Sequence, residues 1–240
     1  PDPGALPGTA DDCVPTADTE TCNDGIDNDC NGVADCSDGA CAGDPACTAG
    51  EVEGCGEATH GGGTLAIPDG IGVPYETAIT IDGFTDGQTL QSEDAVLAVC
   101  VNMEHSWLRD LQIELECPSG EVVVLNEFLG RSGGEVYMGS PIDDDGFDPS
   151  PGTGMDYCWS PSASNDPMLE WANSNPFSGT LPAGDNQASS SFGPLVGCDL
   201  NGDWTIRAID DWPDDNGYIF DWDISFNTDI IANCDDWVVE

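Results

Sequence analysis

The sequence predicts an all-β fold, a sandwich or jelly roll, preceded by a small region too poor in apolar residues to hold a core. Three observations carry this. Short apolar runs recur between turn residues from about Ile67 onward. The chain is rich in chain-breakers, with 30 Gly and 17 Pro in 240 residues, and it shows no convincing amphipathic helix. Hydrophobic residues still make up 39%, with seven Trp, enough to fill a core and to set the chain apart from disordered sequences.

Residues 1–56 form the first region. Seven of the 12 cysteines lie there among many Asp and Gly. With no apolar core to draw on, disulfides and metal must hold such a segment together. Residues 57–66 read as a glycine-rich linker. The sandwich is expected over 67–227, with strands at 77–81, 95–101, 110–117, 121–125, 203–209 and 218–226. Leu111, Ile113 and Leu115 alternate with Gln112, Glu114 and Glu116, the period of a half-buried strand. Pro118-Ser119-Gly120, Asn201-Gly202 and Asn216-Gly217 are turn signals. Trp204, Trp212, Trp222 and Tyr218 are expected to pack the sandwich.

Charge bounds the partners. The chain has 47 Asp and Glu against three basic residues, a formal net charge of -44. Two carboxylates 4 Å apart repel by about 1 kcal/mol in water and about 4 kcal/mol at an effective dielectric near 20. A fold with this excess calls for multivalent cations or a salty medium. Nucleic acid and anionic membrane surfaces need basic patches, and only Arg109, Arg131 and Arg207 are available. No stretch approaches the roughly 20 apolar residues of a membrane span.

Twelve cysteines with two histidines, His60 and His105, argue for disulfides over zinc and for an oxidising compartment. A secreted, extracellular or cell-surface location is expected, with a signal peptide removed ahead of Pro1. Seven cysteines in the first region and five in the second are odd counts, so full pairing needs a disulfide between them; Cys55 and Cys234 are the candidates.

Residues 27–38, DNDCNGVADCSD, fit the calcium-loop pattern D-x-[DN]-x-[DN]-G-x5-E at every position but the last. Asp27, Asp29 and Asn31 can turn alternate oxygens inward, Gly32 permits the bend and Val33 offers a carbonyl. Asp35 and Asp38 complete the shell. Asp24 is a weaker candidate. So are Asp143, Asp145 and Asp148 in one acidic loop, and Asp210, Asp214 and Asp215 in another. Turn chemistry also favours Asp and Gly in such loops. The expected ion is Ca2+.

The stretch CNDGIDNDCNGVADC resembles the D-G-x-D-N-D-C-x-G metal-binding motif of bacterial secreted and surface proteins, and is similar to thrombospondin type 3 and dockerin calcium loops. A second resemblance covers about residues 66–227. AIPDGIG, HSWLRDLQIELECPSGEVVVL and LNGDWTIRAIDDWPDDNGYIFDWDISF resemble the P domain that follows the catalytic domain of proprotein convertases and bacterial subtilisin-like proteases. His105, Asp110-Leu111, Pro118, Gly120, Gly202, Trp204 and Asp210 occupy the motif positions, and Cys117 stands where the family often has Ser. The resemblance implies a β jelly roll that stabilises a catalytic domain and carries no nucleophile. His105 reads as a structural strand-end residue rather than a base.

No enzyme activity is expected. The leading functional reading is a secreted calcium-binding structural or adhesive surface protein, self-associating head-to-tail into a filament with calcium bridging neighbours. The alternatives are a non-catalytic accessory segment of a larger secreted subtilisin-like protease, or an extracellular metal scavenger. In the tail, 228–240, the apolar clusters Ile230-Ile231 and Trp237-Val238-Val239 must dock somewhere. Their own subunit is one place, and strand addition to a neighbour is the other.

Overall fold

The computed structural model describes residues 15, 30, 54–60, 64–68, 72–128, 130, 133–142, 150–175, 179–212 and 215–239. The chain divides into two compact units, Pro1–Cys55 and Gly56–Glu240. The second carries all but a few of the described residues.

Its described strands are β1 (Glu57–His60), β2 (Leu65–Ala66), β3 (Pro74–Asp82), β4 (Val96–His105), β5 (Leu111–Glu116) and β6 (Val122–Asn126), then β7 (Met155–Trp159), β8 (Gly184–Asn186), β9 (Gly202–Asp210), β10 (Gly217–Phe226) and β11 (Val238–Val239). All six expected strands are present. They form a P-domain-like sandwich of two sheets. Sheet A runs β1-β10-β4-β7-β8, with β2 also on β10, and sheet B runs β11-β3-β9-β5-β6. Pairing is antiparallel except between β7 and β8.

Period-two patterning drives the layering. Leu111, Ile113 and Leu115 of β5 and Val99, Val101 and Met103 of β4 are fully buried. The polar residues between those of β5 stay half-buried. Each fully buried side chain of this size contributes about 1.5–3 kcal/mol. Trp204 of β9 packs edge-on against Phe226 of β10, ring centroids 5.3 Å apart, and Trp222 Nε1 of β10 donates to Thr77 Oγ1 of β3 at 2.9 Å. These contacts join the two sheets. Tyr218 is buried and Trp212 only half-buried. The turn at Pro118-Ser119-Gly120 joins β5 to β6 with Gly120 at φ +94, which a β-carbon disfavours.

Two disulfides hold the sandwich. Cys100–Cys158 joins the neighbouring strands β4 and β7, and Cys117–Cys198 ties the end of β5 to the approach to β9. Cys30, Cys55 and Cys234 are also disulfide-bonded, and no described cysteine is free. This cysteine usage belongs to an oxidising compartment. No helix among the described residues is long and apolar enough to cross a membrane.

Two expectations are corrected. Residues 57–66 are not wholly linker: Glu57–His60 pairs with β10 from Glu57↔Ser225 to His60↔Trp222, and Leu65–Ala66 pairs with Ile219 and Tyr218. Ala58, buried between exposed neighbours, supplies the one apolar contact that fixes β1 on its face. A helix also exists, α1 (Met168–Ser174), which buries Met168, Leu169 and Ala172. At under two turns it is too short to show periodicity. Of the two places open to the tail, the structure shows the first, its own chain. Val238 and Val239 pair with Asp82 and Ile81 of β3, Trp237 packs edge-on against Phe84 at 5.2 Å, and its Nε1 donates to the Glu57 carbonyl.

Candidate functional site

Two chain connections cross between the sheets at one end of the sandwich. β4 ends at His105, and a 3-10 turn at Leu108–Asp110 delivers the chain to β5 in the other sheet. β9 ends at Asp210, and the loop after it returns the chain to β10 in sheet A. The register sets Gly217 opposite His105 and Asp210 opposite Leu111. Thus His105, Asp110, Asp210, Asp215 and Asn216, scattered in sequence, gather at one buried place.

Each member has a distinct role. His105 is fully buried, and its Nδ1 accepts the Trp107 backbone N–H at 3.0 Å. The ring proton therefore sits on Nε2, which donates to Asp210 Oδ2 at 3.2 Å. The other oxygen of Asp210 accepts the Trp212 N–H at 2.9 Å. Ser106 Oγ accepts the Asn216 N–H at 2.9 Å, lies 3.1 Å from the Asn216 carbonyl and stands 3.5 Å from Asp215 Oδ1. Gly217 is required by close approach, because a β-carbon there would lie 2.3 Å from His105 Cδ2 and 2.6 Å from the Glu104 carbonyl. That is the reason for glycine in the Asn216-Gly217 pair.

Asp110 is the exception. It is 1% exposed; among the described residues no N–H reaches either carboxylate oxygen, and its carboxyl is placed to share a proton with that of Asp215. Burial first, then the adjacent Asp215 and Asp210 carboxylates, push its pKa up to about 7. The neighbouring Arg109 gives no relief: its Nε donates to the Gly134 carbonyl and its Nη1 to Asn173 of α1.

This geometry does not arm a nucleophile. A triad base needs a ring nitrogen facing a hydroxyl, and both nitrogens of His105 are engaged by a backbone amide and a carboxylate. What the cluster does supply is a concentration of buried anionic oxygen. The convergence of Cys117, Glu121 and Cys198 is different in kind, since both sulfurs are bonded to each other and offer no thiolate.

A second acidic array lies on sheet A. Asp221 is cross-strand from Asn102, which is in turn opposite Asp156, and Asn102 Nδ2 donates to Asp156 Oδ1 at 2.6 Å. Burial, followed by the charges of Asp221, Glu57 and Asp156, pushes Asp223 up to about 6. Asp221 is also raised, by burial and by Asp156.

Of the metal ligands expected from sequence, the described residues include Asp210 and Asp215, and the fold brings these together. Asp24, Asp27, Asp29, Asn31, Val33, Asp35, Asp38, Asp143, Asp145, Asp148 and Asp214 lie outside the described residues. Sequence reasoning placed His105 and Asp110 in a motif but not in a site. The available signal was that motif acids and histidine all fall at strand ends, where connections converge.

The family model of the proprotein convertase P-domain matches residues 95–138. The match spans β4, β5 and β6, and includes His105 and Asp110. Searches of the curated proteins and of the solved structures each return no match.

Proposed function

We propose that the chain is a non-catalytic accessory segment of a larger secreted protein of the subtilisin-like protease type, in which the sandwich braces a neighbouring catalytic domain. The observation that carries this reading is the P-domain match over residues 95–138, whose His105 is built into the fold with both ring nitrogens engaged. Fold likeness suggests the role by analogy, and the site chemistry agrees with it. The test begins with the precursor, which should encode a subtilase domain beside this segment. Deleting residues 56–240 from that precursor should shorten the half-life of the protease at elevated temperature about tenfold, for a loss of about 1.4 kcal/mol in the unfolding barrier. The isolated chain should not cleave casein. A precursor without a protease domain, or a half-life unmoved by the deletion, refutes the reading.

Calcium is the cation proposed for the N-terminal unit, held by Asp27, Asp29, Asn31, Val33, Asp35 and Asp38. At a dissociation constant of about 10⁻⁴ M, calcium near ~10 mM adds about 2.7 kcal/mol per site. Chelation at constant ionic strength should lower the melting temperature, and Asp27→Ala with Asp29→Ala should remove part of that response. An unchanged melting curve in excess chelator refutes calcium binding.

The reading as a surface or adhesive protein draws support from the acidic array around Asp221 and Asp223, because two such faces could approach each other only across bridging cations. It draws none from the tail, whose strand is occupied by β3 of the same chain.

A further inference from the structure

We propose that the cross-strand disulfide Cys100–Cys158 is a thiol-exchange site on the outer face of sheet A, selective by charge: small thiols carrying a positive group react there, and anionic thiols are turned away. The inference rests on sheet A alone and stands apart from the loop at 27–38 and from the identity of any neighbouring domain.

The register builds the site. Thr59, Asp223, Cys100, Cys158 and Asp185 lie directly opposite one another across β1, β10, β4, β7 and β8. Residues opposed in this way share a face of the sheet, and their neighbours along each strand take the other face. Val99, Val101, Tyr157 and Trp159, the neighbours of the two cysteines, are fully buried in the core. Cys100 and Cys158 therefore face outward, and both are only half-buried. Cys117 and Cys198 are each 1% exposed. Exchange needs access to a sulfur, so the first bond is reachable in the folded chain and the second only after opening. The ladder from Val99↔Trp159 to Met103↔Met155 holds β4 beside β7 when the bond breaks, which keeps the reaction local.

Charge selects the reactant. Asp223 flanks the disulfide on the β10 side and Asp185 on the β8 side, with Asp221 and Asp156 two residues along on the same face. Neither described arginine answers them: Arg109 donates to Gly134 and Asn173, and Arg207 pairs with Glu76 and Glu116 in sheet B. Asp223, pushed up to about 6, is ionised at neutral pH and above. The attacking species is a thiolate, and each further negative charge on it raises the cost of approach. In the exchange, the thiolate bonds to one cysteine sulfur and the Cys100–Cys158 bond breaks. Its electron pair leaves on the other sulfur, which takes a proton from water. A second thiolate then attacks the sulfur of the bound thiol and frees the remaining cysteine. Two small thiols are oxidised as one protein disulfide is reduced.

The test uses the folded full chain in chelator and low salt at about pH 8, with three thiols in large excess. They are cysteamine, 2-mercaptoethanol and 3-mercaptopropionate, whose thiolates are zwitterionic, singly negative and doubly negative. Each rate is divided by that thiol's rate with uncharged 2-hydroxyethyl disulfide, and an iodoacetamide quench with peptide mass spectrometry locates the opened cysteines. Cys100 and Cys158 should open about tenfold sooner than Cys117 and Cys198, or more. Corrected rates should fall about tenfold from cysteamine to 3-mercaptopropionate. Potassium chloride at about 1 M should compress that span to about twofold. Asp185→Asn with Asp223→Asn should raise the 3-mercaptopropionate rate about threefold; should that variant fail to fold, the salt comparison decides. Simultaneous opening of all four cysteines overturns the proposal, because the reaction then passes through unfolding. Equal corrected rates for the three thiols, or a span unmoved by salt, overturn it as well.

Discussion

The strands of sheets A and B each carry six acidic residues, and the two sheets handle them differently. In sheet B, Arg207 of β9 lies between Glu76 of β3 and Glu116 of β5 and forms an ion pair with each. These pairs raise the guanidinium pKa further, so the cation is permanent. In sheet A, the array of Glu57, Asp156, Asp221 and Asp223 has no described cation, and Asp223 is pushed up to about 6. One well-placed arginine thus serves two carboxylates in one sheet, while in the other the strain falls on proton affinity. For a chain with three basic residues, position matters more than number.

The comparison can be probed from the covalent level down. Each disulfide closes a long loop, with sequence separations of 58 for Cys100–Cys158 in sheet A and 81 for Cys117–Cys198 beside sheet B. Chain-entropy reasoning gives about 4 kcal/mol for either. Paired Cys→Ala variants should therefore lose similar stability in urea unfolding. A gap above about 2 kcal/mol would show that the sheets differ in more than charge.

Next comes the edge of sheet B. Trp237→Ala removes a half-buried ring that packs against Phe84 and Phe226. The expected loss is about 2 kcal/mol, below the range for a fully buried Trp. Light scattering should show no change in mass. Growth into larger particles would mean that β3 had become a pairing edge.

Arg207→Gln leaves Glu76 and Glu116 facing each other without a cation. Both pairs are partly exposed, so the loss should be about 1–2 kcal/mol. Potassium chloride at about 1 M should narrow it, because screening weakens the remaining repulsion. A salt-independent loss would point to packing of the arginine stem instead.

The smallest effect has the opposite sign. Asp223 takes up its proton near pH 6 in the folded state and near the ordinary carboxylate value when unfolded. Between about pH 4 and pH 6 the folded state binds more protons, so stability falls as pH rises through that window. Above it the destabilisation is fully present. Asp223→Asn, measured in chelator, should therefore stabilise the protein by about 1 kcal/mol at pH 7.5, after allowance for solvent screening, and by almost nothing at pH 4. A stabilisation equal at both pH values would rule out charge as its cause.

Legibility followed sequence separation. The six expected strands all appear, because β-branched and aromatic alternation is a local signal, as at Leu111, Ile113 and Leu115. β7 was hidden: Met155 and Asp156 are both exposed, so MDYCW shows no clean alternation. β1 has only Ala58 to bury and sits beside glycines. The cluster at the crossover end was half legible. Each of His105, Asp110 and Asp210 marked a motif, but their meeting depends on β4 lying beside β10 and β5 beside β9, and no local pattern encodes such pairings. Arg109, next to Asp110 in sequence, suggests an ion pair, but its guanidinium donates to Gly134 and Asn173 instead.

The strand order has a consequence for how the protein is made. β10 sits between β1 and β4, and β9 sits between β3 and β5, so a late segment lies in the interior of each sheet. A nascent chain that has emerged only as far as Asn186 has β3, β4 and β5 but no partner for most of their edges. Closing such distant pairs carries a high entropic cost, and folding is correspondingly slow. The polypeptide must therefore remain open until residues 202–226 are available, a state compatible with threading through a translocation pore. Meanwhile Cys100 and Cys117 wait for Cys158 and Cys198, and premature oxidation would trap wrong pairs. Efficient production should then depend on a disulfide isomerase acting after, not during, synthesis.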